Sequence, residues 1–338
     1  MHKKRVVIIC PGRGSYTRDT SNYLRDLSPE INKQLISFDK KRVAENLPKI
    51  SDLDKNNFRA KTHMTGENAS PLIYTCSIND FMLIDKDRYD VVAVCGNSMG
   101  WYIALALGGV ISYDRGYDLI QTMGTLTHNH GLGGQIIYPI IDDEWQIDYV
   151  KKEMISKEIE NVKAYISIHL GGYIVIGGEQ KSLDILLKKL PANDKYPFQI
   201  PFHSAFHTPL LDHVTSLAQS SMNNSIFHKP TIPLVDGRGC IWSPWSTNTN
   251  ALYNYTLNHQ VIKPYDFSSS VIVALKEFCP DNVILLGPGN TLGGAVAQVL
   301  IDNNWNDLKS KSEFIQNQEN TPFLISMGIE AVSYTHLR

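Results

Sequence analysis

Residues 91–102 read VVAVCGNSMGWY, and within them Gly96-Asn97-Ser98-Met99-Gly100 fits G-x-S-x-G. That pattern holds a serine on a tight turn between a strand and a helix. A serine hydroxyl attacks a carbonyl only when a base takes its proton, so Ser98 needs a histidine close in space. The stretch PFHSAFHTPLLDH offers His203, His207 and His213, and it does not by itself select one. Two further glycine turns, CPGRGSY from Cys10 and LLGPGNTLGG from Leu285, also follow apolar runs. In an open parallel sheet such strand ends converge on one edge, where ligands bind. Neither turn is a dinucleotide fingerprint: the first lacks the third glycine, and the second has other spacing and lies near the C-terminus.

The elements that must position these residues are legible from apolar patterning. Val6–Cys10 is a short β-branched run feeding the first glycine loop, and YDVVAVC (89–95) is a second buried-strand run feeding the Ser98 turn. SMGWYIALALGGVIS then predicts a small-residue helix stopping at Gly108-Gly109. Residues 20–58 are polar and helical in pieces, and ASPLIYTCSINDFMLID predicts a buried helix after an Ala-Ser-Pro start. Over residues 131–200 the character changes. GGQIIYPI, VKAYISIHL, GYIVIGG and YPFQIPF read as strands, with DDEWQIDYVKKEMISKE and QKSLDILLKKL as amphipathic helices between them. The order β-α-β-β-α-β is the ferredoxin-like split βαβ unit. Afterwards the α/β pattern resumes with PLLDHVTSLAQSSM, TIPLVD, SSSVIVALKEF and NVILLGPGNTLGGAVAQVL.

The expected architecture is α/β: an α/β-hydrolase-like large domain with a parallel sheet (1–130 and 201–331) and an inserted ferredoxin-like small domain (131–200). The last residues, VSYTHLR (332–338), follow no helix or strand pattern and are set aside as a non-native tail.

With 338 residues, 43% hydrophobic and 20% charged, the composition is that of a globular protein, and the net charge of -2 gives no reason to expect nucleic acid or a membrane as partner. The start, MHKKRVVIICPG, is basic then apolar, but the apolar run ends at Pro11-Gly12, too soon for a secretion signal. No segment approaches the ~18 apolar residues of a membrane span. The five cysteines have no C-x-x-C pair, and the eleven histidines include no H-E-x-x-H. A cytoplasmic protein with reduced thiols, no metal and no permanent cofactor is expected, and a monomer is the simplest assembly.

Five motifs together resemble the malonyl-CoA:acyl-carrier-protein transacylase family, from about Val6 to Gln298. CPGRGSY resembles that family's F-P-G-Q-G-S-Q, GNSMGWY its nucleophile motif G-H-S-L-G-E, and FHSAFHTPLL its catalytic-histidine stretch. HQVIKPYDF resembles Q-L-x-N-P-V-x-W, and LLGPGNTLGG resembles G-P-G-x-x-L. The resemblance implies Ser98 as nucleophile, His207 as base, and Gln260 as the residue whose carbonyl orients the histidine. It also implies an oxyanion hole made by the backbone N–H groups of Met99 and Arg13. The substrate would be an acyl-CoA, malonyl-CoA by default, and the partner an acyl carrier protein bearing phosphopantetheine, in fatty-acid or polyketide synthesis.

Four positions depart from the family. Counting from Ser98 without gaps, its arginine for the malonyl carboxylate falls at Met123, which cannot hold a carboxylate. Arg13 stands where the family has glutamine and is the candidate substitute. Asn97 replaces the histidine before the serine and can hydrogen-bond locally. Trp101 replaces the glutamate after the elbow and is expected to narrow or line the acyl site. The acyl pocket is thus assigned to Met123, Asn97, Trp101 and Arg13, while Ser167 and His169 are read as strand-end residues. Three functions remain open: acyl transfer from coenzyme A to a carrier protein; hydrolysis of acyl groups off a carrier protein or transfer of a neutral acyl group, favoured by Met123; and a non-catalytic carrier-binding module.

Overall fold

The structure, a computed structural model, describes residues 2–329; the expectation for 332–338 lies outside them. The chain opens with β1 (Lys4–Cys10), buried from Val6 onward. A helical stretch follows: α1 (Pro29–Ala44), α2 (Ile50–Lys55), α3 (Ala60–His63) and α4 (Gly66–Leu83). Ser28 caps α1 by accepting from the Ile31 N–H at 3.2 Å, with Pro29 in the first turn where its missing donor costs nothing. Helix α4 starts before the expected Ala-Ser-Pro, so Pro71 lies inside it. A proline there removes the amide that would bond the Glu67 carbonyl. Arg42 Nη1 and Gln121 Nε2 donate to that carbonyl instead, at 2.8 and 3.3 Å.

The large sheet continues with β2 (Tyr89–Gly96), followed by α5 (Gly100–Leu107) and α6 (Tyr113–His130). Helices α4 and α6 cross at a pair of glycines: a Cβ on Gly66 would lie 2.6 Å from the Gly124 carbonyl, and one on Gly124 2.5 Å from that of Gly66. Next come β3 (Gly134–Pro139), α7 (Tyr149–Asn161), β4 (Tyr165–Leu170), β5 (Tyr173–Gly178), α8 (Gln180–Lys189) and β6 (Phe198–Gln199). Then follow α9 (Asp212–Ser221), β7 (Leu234–Val235), β8 (Ile241–Trp242), α10 (Thr249–Asn254), a π-helical turn (Tyr255–His259) and α11 (Gln260–Ile262). The described chain closes with β9 (Tyr265–Asp266), α12 (Phe267–Phe278), β10 (Asn282–Leu285), α13 (Gly293–Asp302), α14 (Lys311–Asn320) and β11 (Leu324–Ser326).

Two sheets result. The large one has the order β11-β10-β1-β2-β7-β8, parallel except for the β7/β8 pair. The small one has the order β6-β3-β5-β4-β9, and its first four strands are antiparallel neighbours in the ferredoxin-like arrangement. Each sheet has its own apolar core, the smaller built on residues such as Ile136, Tyr138, Ile174 and Leu183. The fold is therefore α/β, a parallel-sheet body with a ferredoxin-like small unit.

Several elements differ from the sequence expectation. The helix expected from Asp142 begins only at Tyr149. The Asp142 carboxylate accepts from the Glu144 and Gln146 amides, closing a turn, and Asp148 then caps the helix through the Lys151 N–H at 2.9 Å. YPFQIPF pairs only at Phe198–Gln199, because Pro197 and Pro201 bracket it and donate nothing to a ladder. TIPLVD likewise pairs only at Leu234–Val235. Strand β9 joins the small sheet from outside 131–200, parallel to β4. Strand β11, in TPFLISM, was not anticipated.

Candidate functional site

Strands β1 and β2 lie side by side with Cys10 opposite Gly96, so the Pro11–Gly14 loop and the Ser98 turn leave the same sheet edge together. The turn is tight. Ser98 has φ +56°, a left-handed conformation that costs an L-residue about 1–2 kcal/mol and persists only where packing imposes it. The flanking glycines permit that packing: a Cβ on Gly100 would sit 2.4 Å from the Cys10 carbonyl, and one on Gly96 2.5 Å from the Gly100 backbone. The Asn97 N–H donates to the Cys10 carbonyl at 3.1 Å, which ties the two loops together.

His207 comes from the 201–211 segment and also has positive φ, +57°. Its backbone N–H donates to the Val261 carbonyl at 2.9 Å, and its Nδ1–H donates to the Gln260 carbonyl at 2.5 Å. A carbonyl can only accept, so Nδ1 carries the proton and Nε2 presents a lone pair. That lone pair faces Ser98 Oγ at 2.7 Å. Burial pushes the His207 pKa down to about 4, with the Gln260 bond opposing the shift. Neutral imidazole is the form able to accept a proton. Of the three histidines, only His207 meets Ser98. His213 is exposed and donates to the His130 carbonyl at 2.7 Å.

Gln260 holds more than the histidine. Its side-chain Nε2 donates to the Ser98 carbonyl at 3.1 Å, and its Oε1 accepts from the Tyr102 hydroxyl at 2.9 Å. One residue therefore contacts both members of the pair, and the π-helical turn immediately before it sets its position. Tyr265 adds a hydrogen bond from its hydroxyl to the Gly96 carbonyl at 2.6 Å.

The pair opens onto a cavity of about 220 Å³ between the two sheets. Its wall includes Asn97, Met99, Met123, Ile137, Phe206 and Leu292. Met123 projects from α6 and is buried. Asn97 Oδ1 is buried without a hydrogen-bond partner among the described residues. Met99 and Arg13 both line this space, and the backbone amide of neither donates to another protein group among the described residues. Arg13 also lines it, with its guanidinium stacked over Phe206 at 5.3 Å.

Trp101 does not line the cavity, contrary to the expectation from its place after the elbow. It is fully buried on the other side of α5, where its Nε1–H donates to Thr256 Oγ1 at 3.0 Å and its ring meets Tyr255 edge-on at 5.2 Å. Successive helical residues point about 100° apart, and it is Tyr102 that faces the site. The polar chain behind the histidine segment was missed as well. His203 Nδ1–H donates to Gln135 Oε1 at 2.8 Å, Gln135 Nε2 donates to Ser167 Oγ at 2.6 Å, and Ser167 Oγ donates to the Phe206 carbonyl at 2.8 Å. A glutamine inside the apolar run GGQIIYPI was the available signal. His169 lies on β4 beside Asp266 of β9, and burial lowers its pKa.

No family model matches the chain, and no curated protein matches it. Solved structures do. The fold is that of malonyl-CoA:acyl-carrier-protein transacylases and of polyketide synthase acyltransferase domains. The transacylase of Synechocystis is 15% identical, with TM-score 0.74 over 88% of this chain and 94% of that one. The Xanthomonas oryzae transacylase is 18% identical, with TM-score 0.75 over 100% and 98%. The acyltransferase domain from the second module of the salinomycin polyketide synthase is 14% identical, with TM-score 0.71 over 98% and 70%. Among the described residues, no helix is long and apolar enough to cross a membrane.

Proposed function

We propose that this protein transfers an acyl group from coenzyme A to the phosphopantetheine thiol of an acyl carrier protein through an acyl-Ser98 intermediate. The observation that carries the reading is the 2.7 Å contact of Ser98 Oγ with the His207 lone pair on the wall of the cavity. Ser98 Oγ bonds to the thioester carbon, its proton passes to His207 Nε2, and the carbonyl electron pair moves onto oxygen. The Met99 and Arg13 amides receive that oxyanion. Collapse restores the carbonyl and breaks the C–S bond, and His207 returns the proton to the leaving sulfur. The carrier thiol then repeats these steps on the acyl-serine. Gln260 acts as the positioning residue through its carbonyl. By resemblance the default acyl group is malonyl and the setting is fatty-acid or polyketide synthesis; the proposal takes the enzyme as a cytoplasmic monomer, the simplest assembly for its sequence. The same proposal treats 131–200 as a unit inserted into the large domain.

A second reading has a specific observation behind it. Met123 brings a thioether where the resemblance places an arginine, and much of the cavity wall is apolar. That favours a neutral acyl group, or hydrolysis of acyl groups off a carrier protein by the same pair.

Intact-mass measurement after incubation with malonyl-, acetyl- and butyryl-CoA decides among these readings. The expected result is an adduct on Ser98 that carrier protein discharges and water alone does not. Rapid discharge by water makes the protein a hydrolase. No adduct with any thioester leaves a non-catalytic carrier-binding module.

A further inference from the structure

The peptide plane that joins Phe206 to His207 is gripped on both sides. Its N–H donates to the Val261 carbonyl of α11 at 2.9 Å, and its C=O accepts from Ser167 Oγ of β4 at 2.8 Å. A trans peptide is flat, with N–H and C=O pointing opposite ways, so two such bonds fix its rotation. His207 depends on that rotation. Its φ of +57° is measured against this plane, and an L-residue keeps such a value only where its surroundings impose it. A flip of the plane would break both bonds, let φ return to negative values and swing the imidazole away from Ser98 Oγ.

The grip from the small sheet has an order that leaves one choice for each proton. The Phe206 carbonyl only accepts, so the single Ser167 hydroxyl proton goes to it. Ser167 Oγ then accepts from Gln135 Nε2 at 2.6 Å, and Gln135 Oε1 accepts from His203 Nδ1–H at 2.8 Å. The chain of bonds thus leaves the histidine segment at His203, crosses β3 and β4, and returns at Phe206. Ser167 is fully buried and Gln135 nearly so. Apolar residues at both positions would pack in a sheet without needing partners, so the sheet itself does not call for this pair. Beyond each other, their side chains bond only to the histidine segment among the described residues. Gly177 of β5 lets that segment lie close, since a Cβ there would sit 2.7 Å from Thr208 Cγ2.

We propose that Ser167 and Gln135 are positioning residues for the base: they hold the Phe206–His207 peptide in the orientation that sets His207 Nε2 on Ser98. This rests on the reading of Ser98 and His207 as the reacting pair and adds what keeps that pair in register. Neither residue hydrogen-bonds to the Ser98 or His207 side chain, so both act through the backbone. The base is thereby aimed from two directions, by α11 through Val261 and Gln260 and by the small sheet through Ser167.

The test uses the full-length protein and an alkyl fluorophosphonate, from whose phosphorus Ser98 Oγ displaces fluoride. That probe needs the reacting pair but neither coenzyme A nor a carrier protein. Intact mass against time and probe concentration gives a maximal labelling rate constant and a half-saturating concentration. Ser167→Ala is expected to lower the rate constant about 10- to 100-fold with little change in half-saturation, the signature of a misplaced reacting group. Ser167→Thr keeps the hydroxyl and should stay within a few-fold of wild type. Gln135→Leu should fall part of the way, and the double variant should lose no more than Ser167→Ala alone, because Gln135 acts through Ser167. A wild-type rate in Ser167→Ala, or a loss in Ser167→Thr as large as in Ser167→Ala, would overturn the proposal. Losses that multiply in the double variant would remove Gln135 from it. Thermal denaturation is followed in parallel, and should Ser167→Ala not fold, an unchanged rate in Gln135→Leu is the overturning result. Malonyl- and acetyl-CoA are then offered to the same proteins. A wild type that labels at Ser98 but takes no acyl group from any thioester sinks the transfer reading alone, whereas one that the probe leaves unlabelled at Ser98 sinks both.

Discussion

The reacting pair and the acyl end of the cavity share one space but are built in opposite ways. Around Ser98 and His207 almost every polar group has a partner. His207 is held through its backbone N–H and Nδ1, Ser98 through its carbonyl, and Gln260 through Oε1, Nε2 and its own carbonyl. Two left-handed residues, Ser98 and His207, are held in place by that network. At the acyl end, Arg13 Nε and Asn97 Oδ1 are buried without partners among the described residues. A site completed by its own protein is ready for chemistry before substrate arrives. A site left incomplete expects the ligand to finish it. The contrast separates reaction type, set mostly by backbone, from acyl choice, set by a few side chains.

The strongest way to break this contrast is to remove the nucleophile. Ser98→Ala should abolish the acyl-enzyme for every thioester, with residual thioester cleavage lower by about 10³-fold or more. Intact mass and a thiol-release assay read the result. An adduct that persists in Ser98→Ala, on another residue, would show that the 2.7 Å contact to His207 is not the reactive one.

The completed network gives the next largest effect. Gln260→Leu keeps the carbonyl that orients His207 but deletes both side-chain bonds, to Ser98 and Tyr102. The acylation rate constant should fall about 10- to 100-fold, with a much smaller change in KM, because misplacing a reacting group costs rate. Tyr102→Phe, which removes only the outer bond, should fall part of the way. An unchanged rate constant in Gln260→Leu would reduce its side chain to a packing role.

How much of this was legible in the sequence follows the same division. Val6–Cys10 and Tyr89–Gly96 were readable because strands buried on both faces leave continuous apolar runs. The glycines around Ser98 were readable because a close backbone crossing admits little else. Which helical neighbour faces a cavity was not. Trp101 and Tyr102 are adjacent in sequence, and their directions depend on how α5 rests against the π-helical turn. Arg13 was legible as a cation but not as an incomplete one, since its partners Met64 and Phe202 stand 51 and 189 positions away. Short strands such as β11 and β9 were lost because two or three residues carry no periodic signal.

The electrostatics of the pair sharpen the contrast at a smaller scale. Burial lowers the His207 pKa to about 4, so the imidazole is neutral and able to accept the Ser98 proton through the whole range above that value. Loading rates should therefore be nearly flat between pH 5 and pH 8. An imidazole with the ordinary pKa of about 6.5 would instead lose roughly 30-fold at pH 5. His203, the other histidine on the cavity wall, is also held low, and Arg13 stays protonated across this window, so neither adds a step there. A drop centred near pH 6.5 would show that substrate or water relieves the burial of His207.

The smallest expected effect on activity concerns Trp101, which separates the cavity wall from the core behind it. Trp101→Phe deletes the indole N–H that donates to Thr256 and leaves a void against Tyr255. Thr256 keeps its own bond to the Leu252 carbonyl at 2.9 Å, so no buried donor is orphaned. The cost should appear in stability, about 1–3 kcal/mol from lost packing and one hydrogen bond, read as a lower denaturation midpoint. Loading rates and the relative preference among acetyl-, butyryl- and malonyl-CoA should stay within a few-fold of wild type. A changed preference at unchanged stability would put the indole back on the acyl wall. Because Tyr102 already occupies the cavity-facing direction of α5, that outcome would require the helix to rotate, and with it the Tyr102–Gln260–Ser98 connection on which the reacting pair depends.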